Sequence, residues 1–456
     1  MSEAEIFMTN PFSLVAQSFY PRNYSPEYLL VKDGMKDKPF LASCIDGKIN
    51  GGSTPPAYFF YSTPKGIPFV KTSAVTRHFI NVNDLQSINS AFHRKKLKRS
   101  ITKPYDVIYT MTGKFMGKAA LCPCTISEMN MSQNSVVFHM RTPEEAAFLT
   151  IFLNSQVNRI QVKGTYSITK QKFMNQGKIA KLHVLPYDNR YEALMKAYLT
   201  AFDVYYKSIK KIQEVIDAFN KDFQLQYQDT AQYGFTVSPS SFDKRMLVPN
   251  FYRTDIASTL NAVQNTSHSQ ILDYECLSKG NEVGSANYSE DGVPFIKTSD
   301  IVNFDIDYEP DCYCPDSFIF QLNQDIKRGD IIFAKDGKPG EIAVIQEDCN
   351  VVISSGLVKY RAKSENERYW VLLLLSSNYG KAYFKKWFVI ASTMLHLRAD
   401  FFKDFQVTEV TDSIMDKYVN KLKHAFDDKK EAYSTMRKVC RIVEKSYTNP
   451  NIELSL

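Results

Sequence analysis

The chain has 456 residues and a mass of 52.3 kDa, a length that predicts roughly three domains at about 150 residues each. With 44% hydrophobic and 23% charged residues it can bury a core, which excludes disordered, fibrous and low-complexity readings. Lys and Arg number 56 against 49 Asp and Glu, a net charge of +7, so a nucleic-acid reading has to come from where the charge sits rather than from its total.

The first ten residues, Met1 to Asn10, carry two acids and no Lys or Arg, which fits neither a signal peptide nor a transit peptide. The longest apolar run, Val371 to Leu375, is far short of the roughly 18 residues of a membrane span. Eight cysteines are too few for a disulfide scaffold. The expected setting is a soluble protein of a reducing cytoplasm.

Reading along the chain, a Tyr- and Pro-containing lead-in, Ala16 to Tyr28, has a faint echo in Met246 to Ala257. Gly66-Ile67-Pro68-Phe69-Val70-Lys71-Thr72-Ser73-Ala74-Val75 then returns as Gly292-Val293-Pro294-Phe295-Ile296-Lys297-Thr298-Ser299-Asp300-Ile301. Tyr105-Asp106-Val107-Ile108-Tyr109 to Lys114 returns as Gly329-Asp330-Ile331-Ile332-Phe333 to Lys338, and Phe148 to Ser155 returns as Trp370 to Ser377. The order of blocks is kept while the loops differ, so the chain is an internal repeat.

Between blocks the pattern predicts short strands at Asp106 to Tyr109, Asp330 to Phe333, Glu341 to Gln346 and Val351 to Ile353, with helices at Glu144 to Gln156 and Asn366 to Lys386. Each repeat closes on a long segment free of Pro and Gly, Tyr187 to Gln228 and Asp412 to Tyr447. In the first, Leu194, Tyr198, Ala201, Tyr205, Ser208, Ile212, Val215 and Phe219 alternate spacings of four and three. In the second, Met415, Tyr418, Leu422, Ala425, Lys429, Ala432, Met436, Val439 and Val443 do the same. A period of 3.5 supports a coiled coil. At 1.5 Å per residue each helix would run about 50 to 60 Å. A single stripe of this kind fits a helix packed on its own globule; two stripes, each longer than a globule is wide, favour helices paired antiparallel. The expected fold class is α+β: globules at residues 1–186 and 229–411, and spacer helices at 187–228 and 412–456, in a dumbbell.

Cations cluster within the globules. Arg94-Lys95-Lys96-Leu97-Lys98-Arg99 places five in six residues, with Lys114 and Lys118 beyond. In the second copy Lys385, Lys386, His396 and Arg398 gather near the end of the globule. Such density suits phosphate contacts, and hydroxyl, amide and guanidinium groups reading base edges would supply sequence choice. A solvated face fits the first run as well. Lys-Thr-Ser also fits a strand end whose hydroxyls cap a turn.

No catalytic constellation accompanies these residues. Gly113-Lys114-Phe115-Met116-Gly117-Lys118-Ala119 lacks the gap and hydroxyl of a phosphate-binding P-loop. Thr54-Pro55-Pro56-Ala57-Tyr58 has neither the leading amide nor the spacing of an amino-methyltransferase motif. Cys122-Pro123-Cys124 and Cys312-Tyr313-Cys314 have no His at ligand spacing, so buried thiols are expected rather than a metal site.

The strings Gly292 to Ile301, Gly329 to Gly337, and Ser392-Thr393-Met394-Leu395-His396-Leu397 followed by Phe402, with the duplication and the two helices, resemble the target recognition domains of type I restriction-modification specificity subunits. That resemblance implies a non-catalytic subunit of a bacterial or archaeal cytoplasm. Two recognition domains would read a bipartite site on double-stranded DNA while antiparallel helices set its spacing. Two methyltransferase subunits and the restriction-translocase subunits would dock on it, and S-adenosylmethionine, ATP and Mg²⁺ would belong to those partners. By this match Lys71, Thr72, Ser73, Lys114, Lys297, Thr298, Ser299, Lys335 and Lys338 lie near the DNA face. The recognition subunit of a fused methyltransferase-nuclease, or a helical scaffold that recruits proteins without reading DNA, are the competing readings.

Overall fold

The structure is a computed structural model and describes residues 21–61, 66–168, 172–227, 234, 236–242, 248–264, 269–391, 394–397, 402, 404–449 and 452–455. The chain forms two compact units, Met1–Lys207 with Glu431–Leu456, and Ser208–Lys430. The division falls inside both long helices rather than at their ends.

In the first unit four strands pair antiparallel in the order Asn50–Gly51, Ser135–Phe138, Val107–Thr110, Ala119–Leu121. A second sheet runs Phe60–Tyr61, Gln86–Ile88, Ile67–Val70, Asn130–Met131, its last pair parallel. The second unit repeats this plan. Leu277–Lys279, Leu357–Tyr360, Ile331–Ala334 and Ile342–Val344 form the antiparallel sheet. Tyr313–Cys314, Val293–Ile296 and Val352–Ile353 form the other, its last pair again parallel. Val107–Thr110 and Ile331–Ala334 are buried at every position, which is why both read as unbroken apolar runs rather than alternating ones.

A helical elbow backs each sheet. Pro143–Asn154 meets Gln156–Thr165 at Ser155, and Glu365–Ser376 meets Asn378–Trp387 at Ser377. Each serine hydroxyl donates to a carbonyl of the helix behind it, Ser155 to Phe152 at 2.6 Å and Ser377 to Leu374 at 2.7 Å. Each also accepts an N–H of the helix ahead, so one residue stops one helix and caps the next. The single helix expected from Asn366 to Lys386 is therefore two.

The turn before the central strand is left-handed in both units. Gly329 sits at φ 91°, and Tyr105 takes the same turn at φ 67°, an uncommon conformation for a bulky side chain. The Tyr105 hydroxyl donates to both carboxylate oxygens of Asp203 at 2.9 and 3.0 Å, which ties the strained residue to the long helix beneath it.

That helix spans Glu192–Asp222, shorter than the expected 187–228. A 3₁₀ turn, Asn189–Tyr191, precedes it, and Gln224 at φ 54° ends it. Leu194, Tyr198, Tyr205, Ile212, Val215 and Phe219 are buried, as are Tyr418, Leu422, Met436, Val439 and Val443. Met415 departs from the expected seam. It is only half-buried and opens a π-helical turn, Met415–Val419, ahead of Asn420–Thr448; at the end of that turn Val419 is buried beside the seam residue Tyr418.

The buried face is also wider than a seam. Met195, Phe202, Tyr206, Ile209 and Ile216 on the first helix, and Val419 and Phe426 on the second, are buried one residue past a seam position. They meet the globules. In the first unit the Tyr206 hydroxyl accepts from Ile80 N–H at 2.8 Å and donates to Ile80 C=O at 3.0 Å. In the second, Phe426 packs on Tyr369 and Phe304. Within each unit the helix segment packs on its globule and also touches the neighbouring helix segment. The neighbours run antiparallel: Tyr191 bonds Ser446 and Tyr205 meets Tyr433 in the first unit, while Lys211 pairs with Asp428 and Phe219 meets Tyr418 in the second.

Lys429, the one cation in the heptad stripe, is 1% exposed and lies 3.2 Å from the buried Asp305 carboxylate. Asp305 also accepts from Tyr308 and from Ile306 N–H. Burial pushes its carboxyl above the ordinary value, and Lys429 pulls the other way. Removing one partner strands the other charge, so Lys429→Met is expected to cost about 3–5 kcal/mol, and adding Asp305→Asn to restore most of it. Denaturant unfolding of the three variants checks this; an additive double mutant would show that the pair is not coupled.

Candidate nucleic-acid interface

Lys-Thr-Ser follows the parallel-paired strand in both units and forms a 3₁₀ turn, Thr72–Ala74 and Thr298–Asp300. The residues thus sit at a strand end and on a common edge, but the hydroxyls do not cap the turn: Ser73 donates to Asp84 and Ser299 to Asp300. Ser132 N–H donates to Val70 C=O at the end of one strand, and Met111 N–H to Asn134 C=O at the end of the next. The second unit repeats both links, Ser354 N–H to Ile296 C=O and Lys335 N–H to Gly356 C=O. The Lys-Thr-Ser turn and the Gly-Lys turn therefore leave neighbouring strand ends. Gly113 and Gly337 take φ 70° and 74°, which lets each turn fold back tightly. In the second unit Thr298 lies against Gly337 and Gly356.

A hairpin closes the edge in each unit: Ser167–Ile168 with Lys172–Phe173, and Phe388–Ala391 with Met394–Leu397. Both bridge back to the Gly-Lys turn in the same way. Thr112 pairs with Phe173 and Asp336 with His396, and Met174 N–H bonds Met111 C=O as Leu397 N–H bonds Lys335 C=O.

The expected contact residues are not equally placed on this edge. Lys71, Lys114 and Lys338 are exposed, and Thr72, Ser73, Thr298 and Ser299 are half-buried. Lys297 turns its ammonium over the Tyr288 ring, 3.9 Å from the centroid, and to Cys312 Sγ at 2.9 Å. Lys118 is buried and corrects the expectation of an exposed cation: its backbone brackets Thr110 at the start of Ala119–Leu121. Lys335 is also buried, with Nζ 2.6 Å from Asp336. Lys385 and Lys386 are half-buried, their ammoniums 6.0 Å from the Phe388 ring and 4.7 Å from Phe251. Arg398 lies outside the described residues.

The run Arg94 to Arg99 straddles a short helix, Ser90–Lys96, and a 3₁₀ turn, Lys98–Ser100. Asn89 starts the helix by accepting from Ala91 and Phe92 N–H. His93 and Leu97, one turn apart, bury themselves and leave Arg94, Lys95, Lys96, Lys98 and Arg99 exposed. Arg94 reaches Glu128 at 3.4 Å. The second unit does not copy this feature. Its helix between the corresponding strands, Ser317–Leu322, carries no cation and leaves Phe320 84% exposed.

Signals overlooked in the sequence are the acids that precede the central strands. Asp106 and Asp330 each accept a backbone N–H three residues earlier, from Lys103 and Lys327, and each holds a basic group of the adjoining strand or its end, His139 at 2.9 Å and Arg361 at 2.7 Å. Both acids stand in the repeated blocks. The cysteines are packing residues in part: Cys122 and Cys314 are buried, Cys124 and Cys312 half-buried. Among the described residues no group of three or more His, Cys, Asp or Glu could hold a metal ion, and no helix is long and apolar enough to cross a membrane.

His93 gives the basic helix a pH dependence. Asn130 Nδ2 faces its Nδ1 at 3.1 Å, and burial holds its pKa below the usual value against the opposing pull of Glu128. With the folded value depressed, the unfolded chain binds the proton first as pH falls below about 6.5, so stability drops there and levels off below the folded value. Amide-exchange protection of Ser90–Lys96 is expected to fall on acidification, and less steeply in His93→Gln; equal slopes would rule out His93 as the source.

No family model and no curated protein matches the sequence. Among solved structures the chain is similar over 90% of its length to the S subunit of a type I restriction-modification system from M. genitalium, 95% of which is covered, at 14% identity and a TM-score of 0.33. It is similar over 91% to the HsdS subunit from Thermoanaerobacter tengcongensis, 96% covered, at 14% identity and a TM-score of 0.27. It is likewise similar over 90% to a chain from a structural study of the assembly and conformational transition of the type I restriction-modification system, 96% covered, with the same identity and TM-score.

Proposed function

We propose that this chain is a DNA sequence-specificity subunit of a type I restriction-modification system, reading a bipartite duplex site and supplying no chemistry itself. One observation carries the reading: a single chain builds the same two-sheet globule twice and closes the same edge of each with a bridge whose side chains differ, Thr112 with Phe173 in one and Asp336 with His396 in the other. A fold copied for stability alone would have no reason to vary there, whereas two readers of two half-sites must. The exposed cations of the first unit and the hydroxyl-bearing turns of both suit phosphate contacts. The long helices would set the distance between half-sites and offer a surface to methyltransferase and restriction-translocase subunits. Those partners would bring S-adenosylmethionine, ATP and Mg²⁺.

Adenine-methylation sequencing of the host genome with and without this gene tests the reading. Loss of one bipartite methylated motif is expected, and an unchanged pattern with partner genes intact would overturn it. Changing Lys95, Lys96, Lys98 and Arg99 together to Gln is expected to weaken binding to all duplexes alike and to flatten the salt slope by up to about 0.9 per lost phosphate contact. An unaltered slope would make the run a solvated face. Removing one heptad from each long helix, about 10 Å at 1.5 Å per residue, is expected to shorten the spacing by about three base pairs at 3.4 Å each while leaving both half-site sequences intact. Mapping the methylated motif of that variant reads both quantities.

A further inference from the structure

The bridge between the Gly-Lys turn and the hairpin has the same backbone in both units and unlike side chains. In the second unit Asp336 faces His396, with His396 Nδ1 2.8 Å from Asp336 Oδ1. The other carboxylate oxygen of Asp336 takes Lys335 Nζ at 2.6 Å. A carboxylate so placed has only acceptors to offer, so the proton of the neutral imidazole belongs on Nδ1 and Nε2 is left with a lone pair. The ring is one-third exposed, and its partner Asp336 opens the turn that carries the exposed Lys338. In the first unit the same bridge carries Thr112 and Phe173. Phe173 is 40% exposed on a strand whose other residue, Lys172, is exposed too. An exposed phenyl ring adds little to its own globule's packing, and its cross-strand partners, Ser167 and Thr112, are polar.

We propose that this bridge is the base-reading position of each unit: His396 accepts a hydrogen bond from an exocyclic amino group, adenine N6 or cytosine N4, in the major groove, and Phe173 packs on a thymine methyl group. The assignment rests on the DNA-reading function above and adds to it which bases each unit prefers. It follows from the groove chemistry, in which amino groups are the donors and the thymine methyl the apolar patch. Asp336 acts as a positioning residue, since it sets which nitrogen of His396 can accept.

The test is enrichment of a random duplex library by the full chain purified with its co-purifying subunits, followed by sequencing. Wild type is expected to enrich a two-part motif with an adenine or cytosine in one part and a thymine in the other. His396→Leu is expected to lose about tenfold of the preference at that one amino-bearing base and leave the other part unchanged. His396→Gln, which keeps an acceptor, retains much of it. Asp336→Asn can donate to Nδ1 and so release the other tautomer; it is expected to admit guanine or thymine at the same position. Phe173→Ser is expected to lower the thymine preference in the opposite part alone. A wild-type motif that survives His396→Leu and Phe173→Ser unchanged overturns the assignment while leaving DNA reading intact. Equal decay at every position, with His396→Gln no better than His396→Leu, also overturns it, as a structural role. A wild-type complex that enriches no sequence overturns the function and the assignment together.

Discussion

In several turns of the first long helix, and at 418–419 and 425–426 of the second, two adjacent residues are buried, and the rest of the architecture depends on that. A seam of period 3.5 satisfies one neighbour, as Leu194, Tyr198 and Tyr205 do. The residues one step further, Met195, Phe202 and Tyr206, satisfy the globule. At about 1.5–3 kcal/mol for each fully buried large apolar side chain, the flank is worth as much as the seam. A helix held on two sides can neither rotate nor slide, because a one-residue shift would carry a buried flank into water. The strand ends that bear Lys-Thr-Ser and Gly-Lys inherit their orientation from it.

Much of this is legible in the repeat. Blocks at Val107 and Ile331, and at Phe148 and Trp370, become equivalent strands and equivalent helices because an apolar run bounded by Gly or Ser has few other fates. Ser155 and Ser377 stand in those blocks, yet their work as elbows is hidden there: a serine inside a helical pattern reads as a tolerated polar residue until its hydroxyl is seen bonding both ways. The helix flanks are illegible for a different reason. A search for one stripe at period 3.5 finds that stripe, and a second partner appears only as a broader apolar arc that the same residues could owe to chance.

The exposure of the candidate residues is legible only in part. Charge density locates Arg94 to Arg99 correctly as an exposed run, because His93 and Leu97 at helical spacing anchor it. Charge alone cannot tell that Lys118 starts a buried strand or that Lys335 is engaged by Asp336. The Asp336–His396 bridge spans 60 residues of sequence, and no local pattern announces a pair made by a hairpin folding back onto a turn. Tyr105 shows the converse: the residue differs from Gly329, but the left-handed turn is kept at both sites, so backbone plan outlasted residue type.

Tyr206 and Lys429 each bond a long helix to its own globule, and the difference between them has a consequence for exchange of parts. Tyr206 asks its globule only for the N–H and C=O of Ile80, groups that almost any residue at that position would provide. Lys429 asks for the acid at Asp305. A foreign first globule of the same fold would meet the Tyr206 bond whatever its residue at that point, whereas a foreign second globule without an acid at the Asp305 position would trap an ammonium in a dry interface. At these two points the first globule's bond to its helix is permissive and the second's is selective.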